Sequence, residues 1–323
     1  MMIVRQLLDE TDRRIAAALL AVPLASWREV ATALSLSERT VVRRAGPLLH
    51  AGTIRVTAVR NPRCFPGLVP LALRIRCRPR QILTVAAALA RRPDTVWVDL
   101  LGGGDELSTV LFLDGPEARN TLLLRDLPAT KAVDSWTAHT LLQASPVPFG
   151  WTGGLLTAAE ADALGRRPLT AMPTALAPDS VDNALIQALT ANGRASYIEL
   201  GRQAGITPLV ARRRSDRLVG HAVRLVAEVD LALLGIGCEA LLWIQVAPGA
   251  LRRTASKLSN HPRVRFAAVT TGPANLLVAV AAEDLDALYE LLTDSLDAVK
   301  SVSAIETTPI LRTFKRAGLL RPA

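Results

Sequence analysis

Lysine is almost missing from this 323-residue sequence. Lys131, Lys257, Lys300 and Lys315 are the only four among 38 basic residues, so arginine carries nearly all the positive charge. Cysteine is scarce too. Cys64, Cys77 and Cys238 are odd in number, far apart and never in a CxxC pair, which argues against a disulfide framework or a zinc site and leaves three small core residues. The four histidines (His50, His139, His221 and His261) do not fall at metal-ligand spacing, and no catalytic constellation forms around them. Gly102-Gly103-Gly104-Asp105 lacks the Gly-Lys-Ser/Thr that completes a phosphate loop and reads as a turn between strands. No catalytic site, metal or cofactor is therefore expected. The longest uninterrupted apolar run, Ile15–Ala25, contains Pro23 and falls well short of the ~20 residues of a membrane span. Met1-Met2-Ile3-Val4-Arg5 is followed closely by Asp9, Glu10 and Asp12, not by the apolar core of a signal peptide, so a cytoplasmic protein with no membrane partner is expected.

Apolar side chains make up 50% of the sequence and charged ones 21%, the balance of an ordinary globular protein with material for more than one core. The formal net charge is +9. The excess is uneven: residues 1–60 carry 9 basic and 5 acidic groups, and residues 179–229 carry 7 and 5. A basic excess in those two stretches suits a nucleic-acid partner.

Those stretches prove to be related. Ser26-Trp27-Arg28-Glu29-Val30 aligns with Ser196-Tyr197-Ile198-Glu199-Leu200, and Val41-Val42-Arg43-Arg44 with Ala211-Arg212-Arg213-Arg214, both at an offset of 170. One deletion near residue 52 changes the offset to 169, which then holds for Ile54/Val223, Pro93/Pro262, Gly103/Gly272, Leu107/Leu276 and Val133/Val302. The chain is two copies of one unit. Residues 143–178, punctuated by prolines and glycines, read as a linker in which Thr157-x-x-Glu160 caps one short helix.

Each copy opens with a helical pattern, then a capping box (Ser26-x-x-Glu29, Ser196-x-x-Glu199) that starts a second helix, then a tight turn and a third helix from Ser37 or Thr207. Three short helices with a tight turn before the last describe a helix-turn-helix. On the third helix Val41, Ala45 and Leu48 face inward, whereas Arg39, Val42, Arg43 and Gly46 face outward. In the second copy Val210 and Leu218 face inward, and Arg212, Arg213 and Arg217 reach out. No tyrosine or phenylalanine lies on these faces to stack single-stranded bases, which favours duplex DNA over single-stranded RNA. Beyond the helices the period changes to two, and each copy reads strand–helix–strand–strand–helix–strand. The strands fall near 71–77, 96–100, 110–113 and 132–137, then at 240–246, 264–270, 276–282 and 299–306. This order is the ferredoxin-like βαββαβ unit, with one sheet face under two helices and the other needing a partner. The expected class is α+β. The expected domains are a helix-turn-helix at 1–60, a βαββαβ unit at 64–142, the linker, a second helix-turn-helix at 179–228 and a second βαββαβ unit at 229–316.

Leu8-Asp9-Glu10-Thr11-Asp12-Arg13-Arg14-Ile15, Leu36-Ser37-Glu38-Arg39-Thr40-Val41-Val42-Arg43-Arg44 and Thr270-Thr271-Gly272-Pro273-Ala274-Asn275-Leu276-Leu277 resemble the Lrp/AsnC (feast/famine) family of bacterial transcription regulators. Nearly the whole chain is covered, twice. The resemblance implies a helix-turn-helix that binds double-stranded DNA and paired βαββαβ domains that bind a small effector, often an amino acid. Pairing could occur within the fused chain as a pseudo-dimer or between chains in a homo-oligomer. It places DNA contacts at Ser37, Arg39, Thr40, Arg43 and Arg44, and at Thr207, Arg212, Arg213, Arg214 and Arg217. Arg44 and Arg214 match the family's recurrent arginine. It places the effector at Gly103, Glu106, Thr270, Thr271, Gly272 and Asn275.

Three departures stand out. Gly46-Pro47 interrupts the third helix of copy one, where proline costs about 3 kcal/mol in a regular helix, so a kinked or short helix is expected. The family's Gly-x-x-Asp loop is Gly103-x-x-Glu106 and Gly272-x-x-Asn275 here. The two third helices differ in sequence, which predicts a non-palindromic site with half-sites roughly 34 Å apart. Two alternatives remain on the same scaffold. One is an architectural DNA-binding protein without effector. The other is an enzyme resembling the sirohaem decarboxylases, which place histidine and tyrosine or arginine near the strand ending here in Val269-Thr270-Thr271; the matching positions are not of that kind.

Overall fold

The computed structural model describes residues 7–145, 151–165, 176–219, 221–295 and 301–321. The first copy begins with α1 (Glu10–Ala21), α2 (Trp27–Leu34) and α3 (Glu38–His50), followed by β1 (Ile54–Arg60). Its sheet unit runs β2 (Leu68–Cys77), α4 (Ile82–Arg91), β3 (Thr95–Leu101), β4 (Glu106–Asp114), α5 (Gly115–Thr121), a π-helical turn leading into α6 (Leu127–Ala129), and β5 (Val133–Ser145). A short α7 (Ala158–Ala163) separates the copies. The second copy repeats the order with α8 (Ser180–Ala191), α9 (Tyr197–Ala204), α10 (Pro208–Leu218), β6 (Val223–Val229), β7 (Cys238–Val246), α11 (Leu251–Ser259), β8 (Val264–Thr270), β9 (Leu276–Ala282), α12 (Leu285–Glu290), β10 (Val302–Arg316) and a terminal β11 (Leu319–Leu320).

The capping residues read from the sequence act as expected. Ser26, Thr157 and Ser196 each accept from the glutamate N–H three residues on, and each glutamate reaches back to its cap. Helix α3 is not cut short at Pro47 but continues through it to His50. Gly46 explains this: with no Cβ, it relieves the clash between a proline ring and the residue before it.

Within each sheet unit the strand order is that of a split βαβ fold: β3-β4-β2-β5 and β8-β9-β7-β10, all antiparallel. The outer strands are longer than the sequence suggested, and their extra length does the joining. The far part of β5 pairs with β8 (Leu141↔Thr270), and that of β10 pairs with β3 (Ile310↔Leu101). The order therefore closes on itself through both copies as an eight-stranded ring. Each sheet packs its outer face on its own helices, burying Leu73, Ile75, Val98 and Leu111 in copy one and Leu242, Ile244, Val278 and Val280 in copy two. The inner faces meet each other across Ala72, Leu101, Val110, Leu141, Leu241, Trp243, Ala268 and Leu277. The face that needed a partner finds it in the same chain, and all three cysteines are buried.

A second joint lies beneath the helices. β1 and β6 form a two-stranded antiparallel ribbon, Ile54↔Val229 to Arg60↔Val223, that ties one helix-turn-helix to the other. The turn after α8 packs on this ribbon: Gly193 N–H donates to Val56 O at 2.8 Å, and Thr57 Oγ1 donates to Thr190 O at 2.8 Å. Arg194 reaches across to donate to Pro23 O (2.6 Å) and Ala25 O (3.2 Å), with its guanidinium 4.4 Å from the Trp27 ring centre. The expected linker is in part packed structure. β5 occupies its start, and Leu155, Leu156 and Leu164 join the core of the first helix-turn-helix, where Glu160 pairs with Arg14. Residues 146–150 and 166–175 lie outside the described residues.

Candidate functional site

The turn that aims each third helix is built differently in the two copies. Ser35 takes a left-handed conformation (φ 55°) in the first, and Gly205 (φ 66°) in the second. The next residue's N–H then closes back on the second helix, Leu36 to Ala31 O and Ile206 to Gly201 O, both at 2.9 Å. Gly201 is required, because a Cβ there would sit 2.7 Å from the Ile206 carbonyl oxygen. Ser37 and Thr207 are the N-caps, accepting from Thr40 N–H (3.0 Å) and Val210 N–H (3.4 Å). Their hydroxyls thus start the helices, and the Ser37 hydroxyl also lies 2.8 Å from that of Thr40.

Arg39, Val42 and Arg43 are exposed on α3, and Leu209, Arg212 and Arg213 on α10, while Val41, Ala45 and Leu48 are buried as expected. In copy two the inner face is Ala211, Ser215 and Leu218, so Leu218 is buried as expected, whereas Val210 is only half-buried and its neighbour Ala211 takes the inward place. Three arginines assigned to DNA are committed elsewhere. Arg44 is 2.5 Å from Asp9 and 3.5 Å from Asp12. Arg214 bonds Asp179 (2.6 Å) and Asp182 (2.9 Å), and Arg217 bonds Asp182 (2.9 Å). Asp182 is buried, so its charge needs these partners, and they fasten the third helix to the start of the first. The Asp182 N–H and the Arg214 guanidinium hold the Asp179 carboxyl below its usual range.

The predicted effector set does not gather in one place. A cavity of about 350 Å³ opens between the units, lined by Arg74, Arg76 and Glu106, by residues 135–137 of β5 and by Glu306 of β10. Of the six predicted residues only Glu106 lines it. Arg74 is its centre: it bonds Glu106 on the neighbouring strand (Nη2 to Oε2, 3.0 Å) and Glu306 of the other copy (2.6 and 2.7 Å), and lies 5.4 Å from the Trp243 ring centre. Glu306 and Glu106 push the Arg74 pKa further up, and Arg74 holds the Glu306 carboxyl below its usual range.

The remaining five lie outside this cavity. Gly103 lies in the β3–β4 turn beside Asp105. Thr270 Oγ1 donates to Ala274 O (2.9 Å). Thr271 N–H donates to Thr140 O (3.0 Å), Thr140 N–H donates to Thr271 Oγ1 (2.9 Å), and His139 Nδ1–H donates to Thr271 O (2.7 Å). Gly272, at φ 102°, lies so close to His139 that a Cβ would fall 2.5 Å from Nδ1. Asn275 spends its amide on Val246, accepting from its N–H (2.9 Å) and donating to its carbonyl (2.8 Å). Sequence reasoning missed Arg74 and Glu306 because alternation along a strand marks them as solvent-facing. The inner sheet faces meet each other, so those positions are partly enclosed.

Elsewhere between the copies lies a set of paired charges: Asp99 on β3 and Arg316 on β10 are buried, and Glu239 on β7 and Arg265 on β8 are half-buried. Among the described residues no group of three or more His, Cys, Asp or Glu side chains could hold a metal ion, and no helix is long and apolar enough to cross a membrane.

The AsnC-type helix-turn-helix domain matches residues 8–47 and again 179–219, and the Lrp/AsnC ligand binding domain matches residues 239–320. The regulatory protein AsnC of Escherichia coli K12 is 26% identical over 149 residues, 42% of this chain and 95% of that protein. The transcriptional regulator Ptr1 of Methanocaldococcus jannaschii is 27% identical over 139 residues, 42% of this chain and 94% of that one. An uncharacterized helix-turn-helix regulator of Pyrococcus horikoshii is 25% identical over 145 residues, 44% and 91% of the two chains. Among solved structures, the siroheme decarboxylase NirDL superposes over 95% of this chain and 93% of its own with a TM-score of 0.62, at 10% identity, a likeness of fold. Each curated relative spans about one copy. With the helix-turn-helix matched in both halves and the ligand-binding domain in the second, on an architecture that repeats every one of those elements in the first, the chain belongs to the Lrp/AsnC family.

Proposed function

We propose that this chain is a transcriptional regulator that grips duplex DNA with both helix-turn-helix units of a single polypeptide and responds to a small effector bound between its paired sheet units. The observation that carries the reading is the pair of exposed arginine-bearing helix faces, Arg39/Arg43 and Arg212/Arg213, fixed to each other by the β1–β6 ribbon. Ser37 and Thr207 set the helix starts, Thr40 adds a hydroxyl beside the first, and Arg44, Arg214 and Arg217 brace the helices from behind. A third helix with basic residues in its first turns suits the major groove, where guanidiniums bond guanine edges or phosphates.

The cavity at Arg74 is the proposed effector site. Arg74 bonds both Glu106 of one copy and Glu306 of the other there. A ligand with a carboxylate competes with Glu306 for Arg74, and an ammonium group on it would pair with the carboxylate so released. A zwitterion such as an amino acid meets both conditions, and its binding would loosen a contact between the copies. The test is a gel shift on the DNA upstream of the protein's own gene at two salt concentrations with competitor, repeated with individual amino acids. Arg213→Ala should weaken binding and reduce its salt slope by about one. Retention unaffected by salt, or by Arg213→Ala, overturns the assignment. Specific retention with no response to any amino acid favours an architectural role.

A further inference from the structure

Superposing the copies by their offset of 170 pairs Arg39 with Leu209, Val42 with Arg212 and Arg43 with Arg213. All six are exposed, at the second, fifth and sixth positions of their helices, and therefore on one face. The faces hold the same kinds of side chain, two arginines and one aliphatic, in different order: Arg-Val-Arg on α3 and Leu-Arg-Arg on α10. The aliphatic members are conspicuous, with Val42 46% exposed and Leu209 76%. Neither packs into its own core. Each stands beside arginines on a helix face that the proposed function turns toward DNA.

A second difference accompanies the first. One turn beyond Arg212 stands Asp216, 3.8 Å from its guanidinium and fixed by the Tyr197 hydroxyl at 2.9 Å. This carboxylate orients an arginine that must present its fork in one direction. The equivalent of Asp216 in copy one is Gly46, one turn beyond Val42, which needs no orienting. The carboxylate thus occurs only in the copy whose fifth helical position is arginine.

We infer that the two third helices read unlike half-sites through exchanged positions: Arg39 bonds a guanine and Val42 packs on a thymine methyl in one half-site, whereas Leu209 packs on a thymine methyl and Arg212 bonds a guanine in the other. The chemistry is that of the major groove, where the thymine C5-methyl is the one apolar feature and guanine O6/N7 matches the guanidinium fork. Arg43 and Arg213, alike in both copies, make the shared contact. This rests on the DNA-binding reading and adds to it the base features that break the operator's symmetry.

The experiment is selection of bound duplexes from a random library with the full chain, followed by base-analogue substitution in the selected site. Two unlike half-sites are expected. Deoxyuridine in place of the thymine facing Leu209 should weaken binding about fourfold, the size expected for one buried methyl. Leu209→Ala should bind thymine and deoxyuridine duplexes equally. Replacing the guanine facing Arg212 by 7-deazaguanine should cost roughly tenfold, and Arg212→Ala should remove that penalty. Arg39→Leu combined with Val42→Arg should move the selected site toward an inverted repeat of the copy-two half-site. Leu209 is surface-exposed, so its loss leaves the fold intact, as circular dichroism would check. Selection of a perfect palindrome by the wild type, or equal deoxyuridine penalties for wild type and Leu209→Ala, overturns this inference while DNA binding stands. Failure to select any sequence overturns both.

Discussion

Arg316→Met tests how the two sheet units are held together. Arg316 is 4% exposed and donates to Glu239 Oε2 at 2.5 Å and Thr313 Oγ1 at 2.8 Å, with Asp99 Oδ1 at 3.5 Å. Methionine retains much of the apolar stem and deletes the charge. Glu239 keeps Arg265 at 2.9 Å, but Asp99 keeps only the Thr313 hydroxyl at 2.6 Å and becomes a buried carboxylate without a bonded cation. Breaking a buried pair from one side costs about 3–5 kcal/mol. At a few degrees per kcal/mol for a chain of this size, the melting temperature should fall on the order of 10 °C.

The pH dependence sharpens the test. Burial pushes the Asp99 carboxyl up against the pull of Arg316, so the stability tied to its neutral form is present at low pH and is lost as pH rises through its folded value. Burial pushes Glu239 up too, but Arg316 and Arg265 outweigh it and hold Glu239 low. Its contribution is present above the ordinary glutamate value and is lost as pH falls. Without Arg316 both carboxyls take up protons more readily, and a neutral carboxyl no longer suffers the missing charge. The deficit of the variant should therefore be largest near pH 8 and narrow toward pH 5, as read from urea midpoints and thermal melts by circular dichroism. A deficit below about 1 kcal/mol at pH 8, or one that does not narrow, refutes the reasoning.

Gly201→Ala drives a Cβ into the Ile206 carbonyl and should cost about 1–3 kcal/mol, displacing α10 and reducing DNA retention in a gel shift while the sheet signal is kept. Arg194→Ala removes two hydrogen bonds and a ring contact between the helix-turn-helix units. Affinity for a two-half-site duplex should fall several-fold with an unchanged salt slope, since no phosphate contact is lost; a changed slope would place Arg194 on the DNA. Asn275→Ala strands both backbone groups of Val246 at the end of β7, and at about 1–3 kcal/mol for each unpaired group it should raise hydrogen exchange there. Equal exchange in variant and wild type would show that water replaces the amide.

The duplication, the helix caps and the strand order were legible because each depends on local chemistry repeated at a fixed offset. The ribbon β1–β6 was not: each strand is short, and its partner lies well over a hundred residues away in the other copy. The true lengths of β5 and β10 were hidden for a related reason. Their outer portions pair with strands of the opposite unit, where burial no longer alternates with a single sheet's two faces. The effector set and the cavity diverge most, since only Glu106 of its six residues lines it. A loop motif read from a resemblance pointed to Asn275 and Thr270–Gly272, but in copy two those atoms bond backbone and His139, and the cavity is lined mainly by copy one, with Glu306 from copy two.

That one-sidedness follows from the fusion. In a dimer of identical chains a residue at the pairing face appears twice, and any charge there meets its own copy's environment. Here each position is filled independently. Glu239 and Arg265, paired with Arg316 beside Asp99, replace Pro70 and Val96 at the offset of 169, while the equivalent of Asp99 is Ala268. The cavity departs in the same way: Arg74 and Glu106 in copy one become Trp243 and Asn275 in copy two, so the guanidinium that bonds Glu306 rests against the ring standing in its own equivalent place. A charge network whose members have no counterparts at the equivalent positions, and a cavity whose Arg74 and Glu106 are replaced in the other copy, are arrangements that strict twofold symmetry forbids. The unlike faces of α3 and α10 extend that freedom from the pairing interface to the surface proposed to meet DNA.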